Sequence, residues 1–410
     1  MQSTAISPPA DNAVQGPVRL HYLDWLRVLA IIGVFLFHAL HPFTGGPWVI
    51  KNVQESLALT VVVFFFFPWG MPFFFMIAGM GSWLALRRRS PRQFARERFQ
   101  RLLVPFFVGA ILFAPIQLYC EWWNRTQLGQ TQASFWAYVA GRQPPISPRF
   151  FDWAGFHLWF LGFLFAFSLL GLPIFAWLKN TNGMRFTGWL ARLCDRRGGI
   201  LLAILPLLLV QLVFRPFFPA EQDWADFLFR FAFFVVGYIL YTDERFLQAM
   251  RRDRWLLLAV GAAAFVALAV LSVSGDPAKL MAAPGLPGFY LFWGLFTVNS
   301  WCWSLVALHL GMRYLDFSNA WLEYGKEAVL PFFIVHQPVI VVIASFVVQW
   351  NTGIGLKALV VVLGSFVISL GIYELLIKRI GFLRVLFGMT TGRSAPAPSR
   401  PGETPSARAA

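Results

Sequence analysis

Charged side chains are scarce in this chain. Only 13% of its 410 residues are Asp, Glu, Lys or Arg, whereas 58% are hydrophobic and the mean hydropathy is +0.62. Soluble globular chains carry about 25% charged and about 45–50% apolar residues. The shortage of charge therefore excludes a soluble enzyme, and it predicts an all-α polytopic membrane protein embedded in a lipid bilayer.

Cysteine and acidic residues are scarce as well. The three cysteines, Cys120, Cys194 and Cys302, lie far apart and lack metal-ligand spacing, which argues against a disulfide scaffold and a zinc site. With 19 acidic and 34 basic side chains the net charge is +15, but the basic residues stand in short loops between apolar segments, where membrane topology accounts for them. We therefore expect no bound metal and no nucleic-acid partner. The first eighteen residues also lack the apolar core of a signal peptide.

Long apolar runs are what the chain has in abundance. Ten of them approach the length that crosses about 30 Å of hydrocarbon, and their approximate limits are 27–44, 58–86, 103–120, 155–178, 200–215, 224–241, 255–273, 287–311, 329–350 and 356–377. The second run is long enough to contain a kink, which Pro68 and Pro72 favour. The sequence thus predicts a bundle of about ten transmembrane helices over 19–387, with disordered tails at 1–18 and 388–410.

The charges of the loops alternate along the chain. Even-numbered loops are rich in Arg and Lys, as in 87–101, whereas odd-numbered loops carry few such residues. By the positive-inside rule the even loops are cytoplasmic, which places both termini in the cytoplasm and the long loop 121–154 outside. The predicted location is the bacterial inner membrane, crossed many times. The aromatic residues of that outer loop, together with its few arginines, suit a sugar or another polar ligand, and they suit an interfacial aromatic belt equally well.

Four ionisable residues lie near one stripe of the first span. Arg27 precedes His38 by eleven residues, or about three helical turns plus 20°, so both share a face roughly 16 Å apart along the axis. Asp24 stands three residues before Arg27, and His41 stands three after His38. Because ionisable groups are costly inside a membrane, they mark functional sites. The spacing predicts a cation near the membrane edge and a proton acceptor near its middle. The alternative is that Asp24 and Arg27 only anchor the helix at the interface while His38 is a packed group.

A second basic group leads into the third span. Arg98 and Arg101 stand three residues apart, and a pair of guanidinium groups suits a phosphate or a pyrophosphate. The positive-inside rule accounts for the arginines of 87–92, which we therefore assign to topology. Two further histidines, His157 and His336, lie within the fourth and ninth spans. Each is either functional or a hydrogen-bonded packing group.

These residues resemble those of the integral membrane acyltransferases of acyltransferase family 3. The family has Arg or Lys, ten residues and then His in its first helix, as Arg27 and His38 do here, and it has Arg-x-x-Arg leading into a proline, as 98–105 does. The segment 75–80 is similar to the family's Phe-x-x-Ser-Gly, with Ala78 where serine is commoner. The resemblance covers about 20–385, and the opening is most like the branch labelled glucan biosynthesis protein C.

The resemblance implies a transmembrane O-acyltransferase. Such an enzyme moves an acyl group, acetyl or succinyl, from cytoplasmic acyl-CoA to a hydroxyl of a periplasmic or cell-surface glycan. His38 is then the general base that takes the proton of the acceptor hydroxyl, although a covalent acyl-histidine relay is a second possibility. Asp24 would orient Arg27, and His336 would orient the donor or the acceptor.

The donor end follows from the same resemblance. Arg98 and Arg101 would hold the phosphates of CoA, and Arg27 would contact CoA or organise this end of the site. The reaction requires no metal.

Two other functional classes fit parts of the sequence. A multi-pass transporter or flippase of a polar metabolite would also have about ten helices and buried histidines, but the two halves of this chain show none of the inverted repeats that transporters often carry. A scaffold protein of an envelope assembly would leave the spacing of Arg27 and His38 unexplained. The acyl group, the acceptor and the oligomeric state are open at this point.

Overall fold

All regular structure in the described part of the chain is helical. The computed structural model describes residues 20–389, and no strand occurs among them. The all-α polytopic membrane class predicted from the sequence is confirmed. The predicted tails, 1–18 and nearly all of 388–410, lie outside the described residues.

Eighteen α-helices, some of them consecutive pieces of one span, make up this region. The first nine are α1 His21–Leu40, α2 Leu57–Phe66, α3 Gly70–Leu86, α4 Pro91–Arg98, α5 Val104–Gln127, α6 Phe135–Ala140, α7 Phe150–Gly155, α8 Trp159–Leu178 and α9 Thr181–Leu193. The others are α10 Ile204–Phe214, α11 Trp224–Leu240, α12 Glu244–Arg252, α13 Arg254–Ser274, α14 Pro277–Ala282, α15 Pro287–Tyr314, α16 Ala320–Val347, α17 Ile354–Ile372 and α18 Gly381–Leu386. Two π-helical turns, Phe99–Leu103 and Tyr373–Ile377, continue α4 into α5 and extend α17.

The ten predicted apolar segments are all helical, but they are not all long enough to cross a membrane. Within 20–389, eight helices have the length and apolar character of a span. The sixth predicted segment is α11, which reaches span length only together with α12, and a 103° bend separates the two. The fifth is Gly199–Phe214, which would extend about 24 Å as an α-helix. The predicted count of ten is therefore too high by this measure. An apolar run in the sequence does not show whether the helix it forms is straight and long enough to cross the membrane.

The second span is broken where its prolines predicted a kink. Helix α2 ends at Phe66 and α3 begins at Gly70, with Pro68 between them. A broken helix leaves backbone carbonyls without helical donors. The hydroxyl of Ser300 on α15 donates to the carbonyl of Pro68 at 2.6 Å. The kink is therefore stabilised from a neighbouring helix.

Helices α3 and α11 cross unusually closely. A Cβ atom at Gly79 would lie 1.9 Å from the carbonyl oxygen of Phe234, and one at Gly237 would lie 2.0 Å from that of Met76. Only glycine permits this approach, as at many close contacts between membrane helices. The crossing fixes α3 in the bundle, and α3 forms one wall of the candidate site.

Helix α16 runs through the centre of the bundle. It packs against α1, α5 and α17, and the amide of Gln337 donates to the side-chain oxygen of Gln117 on α5 at 2.9 Å. Both of these side chains are buried, so the bond replaces hydration that neither group has there. The contacts hold the middle of α16 beside α1.

A buried ion cluster anchors the short α10. The guanidinium of Arg215, which is fully buried, forms an ion pair with Asp226 and lies 3.7 Å from the ring centroid of Trp293. Arg230, four residues along α11 from Asp226, pairs with the same carboxylate at 3.0 Å. Asp226 and Arg230 thus form the pair that a four-residue spacing on one helix allows. A carboxylate between two guanidinium groups satisfies the charges that burial would otherwise penalise.

Candidate functional site

Three histidines from distant parts of the chain meet inside the bundle. The ring centroid of His38 on α1 lies 5.5 Å from that of His336 on α16 and 6.4 Å from that of His157, which precedes α8. The rings of His157 and His336 are 5.0 Å apart. We call these three residues the histidine cluster. The sequence indicated each residue separately, and the fold brings them together.

One backbone carbonyl sets the protonation pattern of two of these rings. The oxygen of Phe333 accepts a hydrogen bond from Nδ1 of His336 at 2.6 Å and another from Nε2 of His157 at 3.0 Å. Because a carbonyl only accepts, both nitrogens must carry hydrogen. The opposite nitrogens, Nε2 of His336 and Nδ1 of His157, are buried and have no hydrogen-bond partner within the described residues. In the neutral rings these two atoms are free proton acceptors.

Irregular backbone on both sides positions His157. The preceding residue, Phe156, has a φ of +50°, a conformation that bulky residues rarely adopt. Such strain concentrates at functional sites. On the facing helix Pro338 has no N–H, so the carbonyl of Ile334 lacks its usual helical donor, and His157 contacts that carbonyl as well. The proline and the strained turn together hold the ring in the cluster.

His38 lies nearer the C-terminal end of α1 than the sequence suggested. Helix α1 spans His21–Leu40, so His38 is in its last turn, not near the middle of the span. His336, in contrast, is near the middle of α16, although it lies only seven residues after the start of the apolar run at 329–350. The polar start of α16, which includes Glu323, is helical but too hydrophilic to be counted as membrane-spanning from the sequence. Both shifts come from helix ends that hydropathy does not locate.

Trp48 covers the ring of His38. The two rings stack at 6.0 Å with an interplanar angle of 22°, and Trp48 stacks in the same way on His41 at 5.6 Å. The Nδ1 atoms of His38 and His41 are buried without a hydrogen-bond partner in residues 20–389. His38 therefore presents a nitrogen that no group in the described residues bonds, beside two further histidines.

A cavity of about 700 Å³ opens at the other end of α1. Arg27, Asp24 and Gly81 lie on its wall, and Nη1 of Arg27 is 3.1 Å from a carboxylate oxygen of Asp24. This ion pair has the geometry that the three-residue spacing predicts. Arg27 and the histidine cluster are thus connected by one rigid helix.

Four arginines line this cavity, and two of them were missed by the sequence reasoning. Arg27 and Arg101 were expected there, whereas Arg88 and Arg89 had been assigned to topology. The turn between α3 and α4 directs the latter two into the cavity. Arg89 is partly neutralised by Glu97 at 3.1 Å. For Arg88 and Arg101 the described structure contains no ion pair, so both guanidinium groups are available to an anion.

Arg98 and Arg101 make different contacts. Arg98 ends α4, and the π-helical turn that follows rotates Arg101 away from the position an uninterrupted α-helix would give it. Arg98 donates to the hydroxyl of Ser82 on α3 at 3.4 Å and lies 4.8 Å from the ring centroid of Phe94. Arg101 lines the cavity. One member of the expected pair is therefore in the cavity wall, and the other is held against α3.

Metal ligation is not indicated by the geometry. Among residues 20–389, no group of three or more His, Cys, Asp or Glu side chains has the arrangement of a metal site. Two members of the histidine cluster also use one ring nitrogen each on the carbonyl of Phe333.

Comparison with known proteins assigns the family. The sequence model of the acyltransferase domain matches residues 20–374. The chain belongs to acyltransferase family 3. Glucans biosynthesis protein C of Salmonella schwarzengrund (strain CVM19633) is 24% identical over 399 residues, which cover 92% of this chain and 96% of that protein. The same protein from Salmonella heidelberg (strain SL476) is 23% identical over the same shares. No solved structure matches the chain.

Family membership fixes the coarse activity. A member of acyltransferase family 3 with eight span-length helices between residues 20 and 389 is a polytopic membrane acyltransferase. The transporter and scaffold hypotheses rested only on the helices and the buried histidines. The family assignment favours the acyltransferase over both. The matched region of the family extends from the first residues of α1 to the end of α17, so it contains both the cavity and the histidine cluster.

Proposed function

We propose that this membrane acyltransferase takes an acyl group from acyl-CoA on the cytoplasmic side and transfers it to a hydroxyl group of a periplasmic or cell-surface glycan. One observation carries the proposal: α1 holds Arg27 in the wall of an arginine-lined cavity and His38 in the histidine cluster. Acyl transfer from acyl-CoA needs both groups, because a cation site binds the phosphates of CoA and a proton acceptor activates the attacking hydroxyl.

The cavity suits the phosphates of CoA. Its wall carries four guanidinium groups and the carboxylate of Asp24, with Glu97 paired to Arg89, and paired guanidinium groups bind phosphate strongly. A donor held at Arg27 must extend about 16 Å along α1 to reach His38. The pantetheine arm of CoA is a long flexible chain that ends in the thioester. The distance between the two sites therefore favours acyl-CoA as the donor.

The histidine cluster suits the chemical step. Nδ1 of His38 has no partner in the described structure, so His38 can take the proton of the acceptor hydroxyl as its oxygen attacks the thioester carbonyl. The carbon–sulfur bond breaks, and the proton passes from His38 to the CoA thiolate, which leaves as CoA-SH. The free acceptor nitrogen of His336 can hold the acceptor hydroxyl in place. Asp24 keeps Arg27 directed to the donor.

The acceptor class is supported by the relatives. Two proteins that match nearly the whole chain are named glucans biosynthesis protein C, which favours a glycan hydroxyl as the acceptor. The donor group is acetyl or succinyl in this proposal. The test uses purified protein with acetyl-CoA or succinyl-CoA and glycan from the envelope of the source cells. We expect CoA-SH release that depends on the glycan, and a mass increase of the sugar that identifies the acyl group. Release that is independent of every glycan fraction, or none at all, would contradict the proposal.

Gly81 gives a test of the donor end. A Cβ atom at position 81 would lie 2.3 Å from Nη2 of Arg27, so Gly81→Ala must displace the guanidinium from its present place beside Asp24. We expect severalfold weaker acyl-CoA binding by the purified protein in detergent, with normal expression. The matched control is Gly33→Ala, because a Cβ atom at Gly33 meets nothing within 4 Å. Equal affinities for the two variants would remove Arg27 from the donor site.

The proposed orientation places α4 in the cytoplasm and the third loop in the periplasm. The alternation of loop charge supports it. A cysteine at Ser90 should therefore resist an impermeant thiol reagent in cells with a permeabilised outer membrane, and one at Gln132 should react. Both positions are exposed, whereas the three native cysteines are buried, so the background is low. Labelling at position 90 together with protection at 132 would invert the topology.

A further inference from the structure

We propose that Trp48 is a specificity-determining residue that favours a glycan hydroxyl over water as the acceptor. It belongs to residues 41–56, named here the cover segment, which lies against the histidine cluster. The catalytic consequence rests on the proposed function, whereas the shielding itself does not.

Trp48 lies beside His38 as a nearly parallel but laterally offset ring. The indole lies nearly parallel to the rings of His38 and His41, at 6.0 and 5.6 Å between centroids. Trp48 is half-buried, so one part of it remains open to the surface. His38 is itself partly exposed, so an aromatic ring in this position limits the access of solvent to it and offers an apolar face, on which the C–H groups of a sugar ring can pack. Water gains nothing from such a surface.

The cover segment is fixed to the bundle at several points. Phe43 and Ile50 are fully buried. The side chain of Asn124 on α5 accepts from the backbone N–H of Lys51 at 2.9 Å and donates to its carbonyl at 3.2 Å. The N–H of Asn52 donates to the carbonyl of Pro42 at 2.9 Å, which closes the segment on itself. Trp48 is therefore carried by an ordered backbone and not by a free loop.

A buried lysine provides a further anchor. Lys357 on α17 is only 7% exposed, and its Nζ donates to Oδ1 of Asn52 at 2.9 Å and to the carbonyl of Val348 at 2.8 Å. No ion pair of Lys357 occurs in residues 20–389. Burying a cation on neutral oxygens is costly, and the proposed reaction assigns this lysine no role. Holding the cover segment against α16 and α17 accounts for it.

Shielding matters because water competes with the acceptor. If water reaches His38, its oxygen attacks the thioester carbonyl while His38 takes the proton. The carbon–sulfur bond breaks, the thiolate receives the proton, and the products are the free acid and CoA-SH. This hydrolysis wastes the donor, and exclusion of water is the usual defence of a group-transfer site. Removing the indole should open this route.

The experiment compares purified wild-type protein with Trp48→Ala, Trp48→Phe and Lys357→Met. The control is Trp350→Ala, because Trp350 is a largely exposed tryptophan in the turn between α16 and α17. The first measurement is modification of His38 by diethyl pyrocarbonate, located by fragment mass spectrometry so that His41 is read separately. The second is CoA-SH release from acetyl-CoA without glycan.

We expect Trp48→Ala to raise both signals severalfold, Lys357→Met to raise them less, and Trp48→Phe and the control to match wild type. Unchanged modification of His38 in a monodisperse Trp48→Ala variant would refute the proposal that Trp48 limits the access of solvent to His38. Raised modification without raised hydrolysis, in protein that still transfers to glycan, would overturn the specificity role. Should the alanine variant aggregate, Trp48→Leu takes its place. Absence of transfer in wild type would refute the proposed function. The modification of His38 would then still test whether Trp48 covers that ring.

Discussion

Replacement of His38 by alanine should abolish acyl transfer. The imidazole is the group that accepts the hydroxyl proton in the proposed step, and loss of a general base typically costs about 10²–10⁴-fold in rate. Nδ1 of His38 bonds to nothing in the described residues, so the substitution leaves no buried hydrogen-bond partner of that atom unsatisfied. Expression and membrane insertion should therefore be normal. The measurement is glycan-dependent release of CoA-SH by purified protein.

A second histidine supplies the control for this variant. His309 lies on α15 outside the cluster, and its Nδ1 is likewise buried without a partner among residues 20–389. His309→Ala should keep most of the activity. Full activity of His38→Ala at normal protein level would refute the assignment of the base. A similar loss in both variants would mean that histidine removal acts through folding and not through chemistry.

Arg101→Ala and Arg88→Ala should each weaken acyl-CoA binding by roughly 10–100-fold. Both guanidinium groups line the cavity without an ion pair in the described structure, and a hydrogen bond to a charged group contributes about 1.5–3 kcal/mol. Lysine at either position should restore binding only in part, because it keeps the charge and loses the planar fork. Arg98→Ala should weaken binding less, since the guanidinium of Arg98 donates to Ser82 and is not part of the cavity wall in the described residues.

The matched control for the arginine variants is the adjacent residue. The guanidinium of Arg87 lies 4.7 Å from the ring centroid of Trp83 and is not part of the cavity wall in the described region. Arg87→Ala should bind acyl-CoA as wild type does. Affinities must be compared at one ionic strength, because salt screens such contacts. Equal losses at positions 87, 88 and 101 would indicate a diffuse basic surface, and three unchanged affinities would move the donor pocket elsewhere.

Local helix geometry explains which parts of the site the sequence could predict. The shared face of Arg27 and His38 follows from eleven residues of α-helix, and the pairing of Asp24 with Arg27 follows from a three-residue spacing. Both need only the regular repeat of one helix. The break at Pro68 was also predictable, because proline disrupts helical hydrogen bonds wherever it occurs.

The missing parts depend on tertiary structure. Arg88 and Arg87 are neighbours in sequence, and only the turn after α3 decides which of them enters the cavity. The π-helical turn that separates Arg98 from Arg101 has no sequence signal comparable to a proline. The sharing of the Phe333 carbonyl by two histidines joins segments 176 residues apart. No periodicity within one segment records such a contact.

Helix α1 also sets a length requirement on the donor. Arg27 and His38 are eleven residues apart on this rigid helix. If Arg27 binds the donor phosphates and His38 is the base, the distance between the phosphates and the reacting carbonyl is fixed. Under the proposed roles, a small acyl phosphate anchored at Arg27 would end far short of His38. A carrier with a long flexible arm would reach it. An insertion or deletion in α1 between these residues would alter both the distance and the face, and under the proposed roles either change should abolish acyl transfer.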